Sequence, residues 1–180
     1  KSIGFCFGVK RAINMAEEIL EKKGILYSLG DIVHNPLVVE RLISKGLKVV
    51  EDIKSLGNYP FIIRSHGLPP DLKRKVREKT PYVYDATCPH VGKVQKLIKN
   101  LSKEGYFIII VGDKHHPEVK GLKNFAGKSR VIEKEKDFLF KRNLEKVAIV
   151  GQTTLSFEEY FETVKGILDK LIADEVKVFN

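Results

Sequence analysis

The sequence predicts an α/β protein of two repeated α/β lobes with mainly parallel sheets, residues 1–88 and 89–180, belonging to a pseudo-threefold, three-lobed whole. Three observations predict it. Short apolar runs alternate with longer segments whose apolar residues recur at helical spacing, the pattern of strands joined by crossover helices. The offset of 82 that carries Cys6 to Cys88 also carries Val9 to Val91, Gly30-Asp31 to Gly112-Asp113 and His34 to His116, without a gap, which marks an internal duplication. The last residues, Val178-Phe179-Asn180, repeat the Val83-Tyr84-Asp85 that leads into Cys88. Aligning Asn180 with Asp85 places a third cysteine turn, and with it a third lobe absent from this chain, just past Asn180.

The elements follow in order. A helix is predicted over 9–23, because Val9, Ala12, Ile13, Ala16, Ile19 and Leu20 form one stripe and Gly24 is a natural stop. The apolar run 25–29 reads as a buried strand. Pro36 suits the first turn of a helix over 37–45, closed by Gly46. Strands at 47–50 and 59–64 come next, the second delivering Ser65-His66-Gly67. Pro69-Pro70 opens a basic helix, 71–79, and a strand at 82–84 leads to Cys88. The second lobe repeats the order: helix 91–103, strand 106–111, helix 118–125, strand 131–132, a charged stretch to 143, and strand 146–150. A helix over 157–172 begins with a capping box of Ser156 and Glu159, and a strand over 176–179 ends the chain.

Composition narrows the classes. Hydrophobic residues make up 43% and charged residues 31%, as in a soluble globular protein with a real core, and no apolar stretch approaches a membrane span of about 20 residues. The N-terminus has neither an initiator Met nor the apolar centre of a signal peptide. The chain therefore reads as the inside of a longer one, with a cytoplasmic setting. The net charge of +9 fits a Lys/Glu-rich solvated surface, and the sharper alternatives are an acidic redox partner, an anionic substrate or nucleic acid. Nucleic acid is disfavoured, because the basic residues are scattered and there is no Trp and no aromatic-and-basic strip.

Two cysteines in a reducing compartment do not suggest a disulfide, and they lack the close pairing of a zinc finger. Each stands instead on a turn leading into a helix, where first-turn N–H groups favour a thiolate. Three such turns would present three thiolates to one point, which suits a [4Fe–4S] cluster with one open iron. Catalytic zinc is the competing occupant, and soft all-thiolate ligation favours iron–sulfur. His34, His66 and His116 end strands or open helices. They suit an anion site, against the plainer reading of hydrogen-bonded loop histidines. Glu118 falls in a helix's first turn, where it either stabilises the dipole or, facing the metal centre, donates a proton. Thr153 and Thr154 could relay that proton or hold a substrate hydroxyl. His90 and His115 read as structural or solvated. A non-redox module binding a diphosphate or nucleotide is the alternative, weakened by the absence of a P-loop and of Gly-x-Gly-x-x-Gly. A zinc hydrolase is a third reading.

Six motifs then carry a resemblance across the whole chain: Gly4-Phe-Cys-Phe-Gly-Val-Lys-Arg-Ala12, Val33-His-Asn-Pro36, Arg64-Ser-His-Gly67, Asp85-Ala-Thr-Cys-Pro-His-Val91, His116-Pro-Glu-Val119 and Gly151-Gln-Thr-Thr-Leu-Ser156. Together they resemble the LytB/IspH family of 4-hydroxy-3-methylbut-2-enyl diphosphate reductases. The resemblance implies a three-lobed iron–sulfur reductase that dehydroxylates an allylic diphosphate to isopentenyl and dimethylallyl diphosphates. It implies Cys6 and Cys88 as cluster ligands and His34, His66 and His116 as diphosphate-binding residues, with His116 also near the substrate hydroxyl. Glu118 would deliver a proton, Thr153 would belong to the hydroxyl network at the substrate, and Asn180 would open an Asn-Thr-Ile-Cys motif, with Thr154 kept as a substrate contact on the reading of the residues alone. A ferredoxin or flavodoxin type electron donor is implied as partner. Without the third cysteine and the final lobe, this length of chain is expected to be inactive alone.

Overall fold

A computed structural model describes residues 4–138 and 143–179. The chain divides into two compact units, Lys1–Gly92 and Lys93–Asn180. Unit 1 contains α1 (Phe7–Lys23), β1 (Leu26–Leu29), α2 (Pro36–Ser44), β2 (Leu47–Val50), β3 (Phe61–Ile63), α3 (Pro70–Lys79) and β4 (Val83–Asp85). Helix α4 (Pro89–Lys103) leads into β5 (Phe107–Val111), α5 (Pro117–Lys123), β6 (Ser129–Ile132), β7 (Leu144–Gly151), α6 (Phe157–Leu168) and β8 (Ala173–Phe179). A short 3₁₀ turn, Glu135–Asp137, lies in the charged stretch before β7.

Each unit carries one four-stranded sheet, and every strand pair described is parallel. The orders are β2-β1-β3-β4 and β6-β5-β7-β8. These are the same order, so the duplication seen in sequence is also a duplication of topology. Parallel strands must bury both faces, and they do so in the same way twice. In unit 2, Ile108, Ile110, Ala148 and Val150 face α4 and α5, while Ile109, Val111, Val147 and Ile149 face α6. In unit 1, Leu26 and Ile62 pack with α1 and α2, and Phe61 and Ile63 pack with Val76 of α3. The runs of β3 and β5 are therefore continuously apolar and largely buried, whereas β1, interrupted by Ser28, alternates between buried and half-buried residues.

Strand register extends the repeat beyond what a fixed offset detects. The 82-residue offset holds through β1/β5 and β2/β6, since Leu26 pairs with Leu47 and Ile108 with Ser129. Across the next pair Tyr27 faces Phe61 while Ile109 faces Ile149, so Phe61 and Ile149 are counterparts and the offset has become 88. Arg64, Ser65 and His66 thus correspond to Gln152, Thr153 and Thr154. Ile62 faces Tyr84 and Val150 faces Phe179. Phe179 is therefore the counterpart of Tyr84, and the position after it the counterpart of Asp85. Asn180 itself lies outside the described residues.

The helix predicted to run to 172 stops at Leu168. The carbonyl of Ile172 accepts from Leu144 N at 3.1 Å, so the last residues of that span are claimed by the β7 edge and pass into β8. Helices α1 and α4 start two residues earlier than predicted, at Phe7 and Pro89, because the carbonyls of Cys6 and Cys88 already accept the first helical bonds, from Lys10 N (3.0 Å) and Gly92 N (2.9 Å).

Candidate functional site

In both sheets the chain leaves the central strand in one direction and returns on its other side, so the crevice beyond β1 and β3, and that beyond β5 and β7, are the switch points where an open parallel sheet binds ligands. Each unit places its marked residues there.

In unit 1 three loops are tied in series beyond the strand ends. Ser65 donates its N–H and hydroxyl to Ile32 O at 3.3 and 3.2 Å, joining the β3 loop to the β1 loop that carries His34. Cys88 N then donates to Ser65 O at 2.8 Å, joining the β4 loop. Hydrogen bonding of this kind fixes loops that would otherwise carry only entropy. It brings His34 and His66 together, their ring centroids 4.7 Å apart and tilted by 56°. His34 sits one residue ahead of the α2 N-cap, Asn35, whose side chain accepts from Val38 N at 3.1 Å.

The cysteines flank the same end of unit 1. Cys6 is the N-cap of α1 and exposed; Cys88 directly precedes α4 and is half-buried; neither is in a disulfide. Gly8 explains how a second thiol reaches the first turn of α1, since a Cβ there would lie 2.5 Å from Cys88 Sγ. The turn before Cys88 is equally fixed. Asp85 Oδ1 accepts from Thr87 N at 3.0 Å and from the Thr87 hydroxyl, Lys73 Nζ meets Oδ2 at 2.6 Å, and Arg11 reaches from α1 to the carbonyls of Asp85 (3.0 Å) and Thr87 (3.2 Å). Burial pushes the Asp85 carboxyl up, but the bonds from Lys73 and Thr87 outweigh it and hold it below the usual range. Two undisulfided thiols on helix-opening turns, one seated against a side-chain-free position, fit a pair of soft metal ligands.

Gly8→Ala checks that seating. Alanine is the better helix former, by up to roughly 1 kcal/mol in a helix interior and less in a first turn, so α1 itself should not be weakened. The added methyl should turn the Cys88 thiol away, changing its alkylation rate several-fold by peptide mass while far-ultraviolet circular dichroism stays constant. An unchanged rate would show that the thiol does not use this space.

In unit 2 the switch point holds a carboxyl. Glu118, in the first turn of α5, is only 1% exposed. Its Oε1 accepts from Thr153 N at 2.8 Å and its Oε2 from the Thr153 hydroxyl at 2.9 Å. Burial pushes its pKa up, and the two Thr153 bonds only partly offset that. His116 is the α5 N-cap, its Nδ1 accepting from Glu118 N at 3.1 Å. In the neutral ring that leaves the proton on Nε2, where it can donate. Gln152, 8% exposed, clasps the two loops: its Oε1 accepts from Asp113 N at 3.1 Å and its Nε2 donates to Thr154 Oγ1 at 2.5 Å. Thr154 is thereby committed to Gln152, whereas Thr153 faces Glu118.

Ser65, Arg11, Gly8 and Gln152 had no signal of their own in the sequence beyond lying inside the six motifs, because what they do depends on contacts across 33 (Ser65 to Ile32) to 80 (Gly8 to Cys88) residues of chain. His115 and His90 are not among the residues tied together at either switch point: the His115 backbone N–H donates to Asp113 Oδ1 at 2.7 Å in a local turn, and His90 is exposed on α4.

The model of the LytB protein family matches residues 1–180. The chain is 46% identical over 182 residues to the 4-hydroxy-3-methylbut-2-enyl diphosphate reductase of Geobacter sulfurreducens, across all of this chain and 64% of that protein. It is 44% identical to the reductase of the same name from Aquifex aeolicus, across 98% of this chain and 62% of the other. Among solved structures it is similar to (E)-4-hydroxy-3-methyl-but-2-enyl diphosphate reductase, the terminal enzyme of the non-mevalonate pathway, with a TM-score of 0.83 and 41% identity over 98% of this chain and 64% of that one. The E-1-hydroxy-2-methyl-but-2-enyl-4-diphosphate reductase of Plasmodium falciparum gives a TM-score of 0.85 at 34% identity, over 94% and 56%. The chain thus spans a little under two thirds of the length of the relatives it matches.

Proposed function

The chain belongs to the LytB protein family, and from that membership we propose that it supplies two lobes of a 4-hydroxy-3-methylbut-2-enyl diphosphate reductase. The reaction removes the allylic hydroxyl as water, consuming two electrons and two protons, and yields isopentenyl and dimethylallyl diphosphates in the last step of the non-mevalonate pathway. The observation that carries the proposal is Glu118, a buried carboxyl with a raised pKa held by both donors of Thr153 at the mouth of a parallel sheet. Such a group holds its proton more tightly than an exposed carboxyl does and can give it up in a dry site.

The roles divide between the units. Cys6 and Cys88 are the protein ligands in unit 1, with a third cysteine expected just beyond Asn180 in the third lobe. When bound there, a [4Fe–4S] cluster supplies electrons singly and an open iron as Lewis acid. His34 and His66 take the diphosphate, as imidazole donors beside the α2 N-terminus. In unit 2, protonated Glu118 donates to Thr153 Oγ1, whose own hydroxyl proton can then turn to the leaving oxygen. His116 offers its Nε2 proton to the substrate, and Thr154, through the hydroxyl proton that its bond from Gln152 leaves available, and Asn180 are assigned as further substrate contacts. A surface of net charge +9 suits an acidic ferredoxin or flavodoxin as electron donor. No helix among the described residues is long and apolar enough to cross a membrane, and a cytoplasmic setting is proposed.

The test is product analysis. The full-length protein, loaded with iron and sulfide without oxygen and supplied with reduced viologen, should convert the allylic diphosphate to both isomeric products. A fully loaded protein that leaves the substrate unchanged would overturn the proposal.

A further inference from the structure

We propose that Arg64 is the fixed positive charge of the anion site in unit 1, binding the phosphate oxygens together with His34 and His66. The inference deepens the functional reading above and rests on it. It comes from comparing the two halves of the repeat at one position. By strand register Arg64 is the counterpart of Gln152, and each side chain lies over the equivalent glycine of the central strand's loop. A Cβ on Gly30 would lie 2.9 Å from Arg64 Nη1, and one on Gly112 would lie 2.7 Å from Gln152 Oε1. Gly30 has a φ of 70°, so that close approach is also one only glycine makes without strain.

In unit 2 the occupant of this position is employed at both ends, its carbonyl joining the loop after β5 to the loop after β7 and its amide bonding to Thr154 within its own loop. Unit 1 makes the corresponding connection differently, through Ser65 and Ile32. The guanidinium is therefore not needed as the clasp. Its Nε is buried and bonds to nothing among the described residues, and no carboxylate there lies within ion-pair distance of it. Asp31 is the one acidic group that acts on it appreciably, and from farther away. Partial burial of a cation without a contacting anion is costly, and a neutral amide stands at the same place in the other unit. A phosphate-type dianion in the β1/β3 crevice would meet a planar fork of donors two residues from His66, and would supply the missing counter-charge.

The experiment measures inorganic pyrophosphate binding to the full-length protein by calorimetry. Arg64→Gln copies the residue that the fold already seats at the equivalent position. It should weaken pyrophosphate at least tenfold and flatten the salt dependence, while the melting temperature without ligand stays equal or rises. In the wild type, pyrophosphate should also slow phenylglyoxal modification of Arg64 several-fold, a readout that needs no variant. His34→Asn separates the two levels of the argument. If His34→Asn weakens binding while Arg64→Gln leaves it unchanged, or if pyrophosphate does not protect Arg64, the role of Arg64 is overturned and the anion site stands. If the wild type does not bind pyrophosphate, the anion site is overturned and Arg64 with it.

Discussion

Glu118→Gln should lower turnover of the full-length protein by roughly 100- to 10,000-fold, the usual worth of a positioned general acid, with substrate affinity changed little. The amide keeps an acceptor for Thr153 N and a polar group for the Thr153 hydroxyl, so the clasp of α5 to the β7 loop survives. Only the proton is lost. The same substitution has a stability signature whose sign follows from the raised pKa. Folded protein holds the Glu118 proton over a pH window in which the unfolded chain has released it. Stability therefore falls as pH rises from the ordinary carboxylate range through the folded value. Glutamine cannot ionise and removes that slope. Melting curves from about pH 4 to pH 8 should show the variant gaining on the wild type as pH rises and then running parallel to it. A gap that does not change with pH would mean that Glu118 is not held protonated, and unchanged turnover would take it off the proton path.

The second large effect concerns the thiols. Cys88→Ser and Cys6→Ser should each abolish stable iron loading and activity, since the hard hydroxyl is a poor substitute for thiolate at a soft metal centre. The fold should survive both. Cys6 is exposed, and the backbone bonds that anchor Cys88, from its N–H to Ser65 and from Gly92 to its carbonyl, do not involve sulfur. Iron and sulfide analysis of protein reconstituted without oxygen checks this directly. Full loading with serine at either position would remove that residue from the ligand set.

Most of the architecture was legible in sequence because strands packed between helices leave short, mainly apolar runs, and each predicted run became a strand. The repeat was legible only where its offset is constant. Beyond β2 it lengthens by six residues and again by seven, so Arg64 and Gln152 cannot be recognised as counterparts until strand register aligns them. The sequence pattern places the end of α6 and the start of β8 too late because Leu168 to Ile172 continues an apolar helical pattern, while pairing with β7 from Leu144 and Ala173 onward takes the chain into the strand. Of the site, the Cys, His and Glu residues announced themselves by chemistry at strand ends. The residues that hold them, Ser65, Arg11, Gly8 and Gln152, are chemically ordinary and act through distant partners. His34 and His116, though in register, differ locally: the α5 N-cap is His116 itself, whereas in α2 the cap has moved one residue on to Asn35.

The central claim is a division of labour, with unit 1 holding the anion and the metal and unit 2 holding the proton. Substrate-binding calorimetry on His34→Asn and Glu118→Gln, side by side in the full-length protein, tests it most directly. The account predicts at least a tenfold loss of affinity for His34→Asn and less than a threefold change for Glu118→Gln, on the scale where tenfold is about 1.4 kcal/mol. Affinity lost with Glu118→Gln and retained with His34→Asn would contradict it.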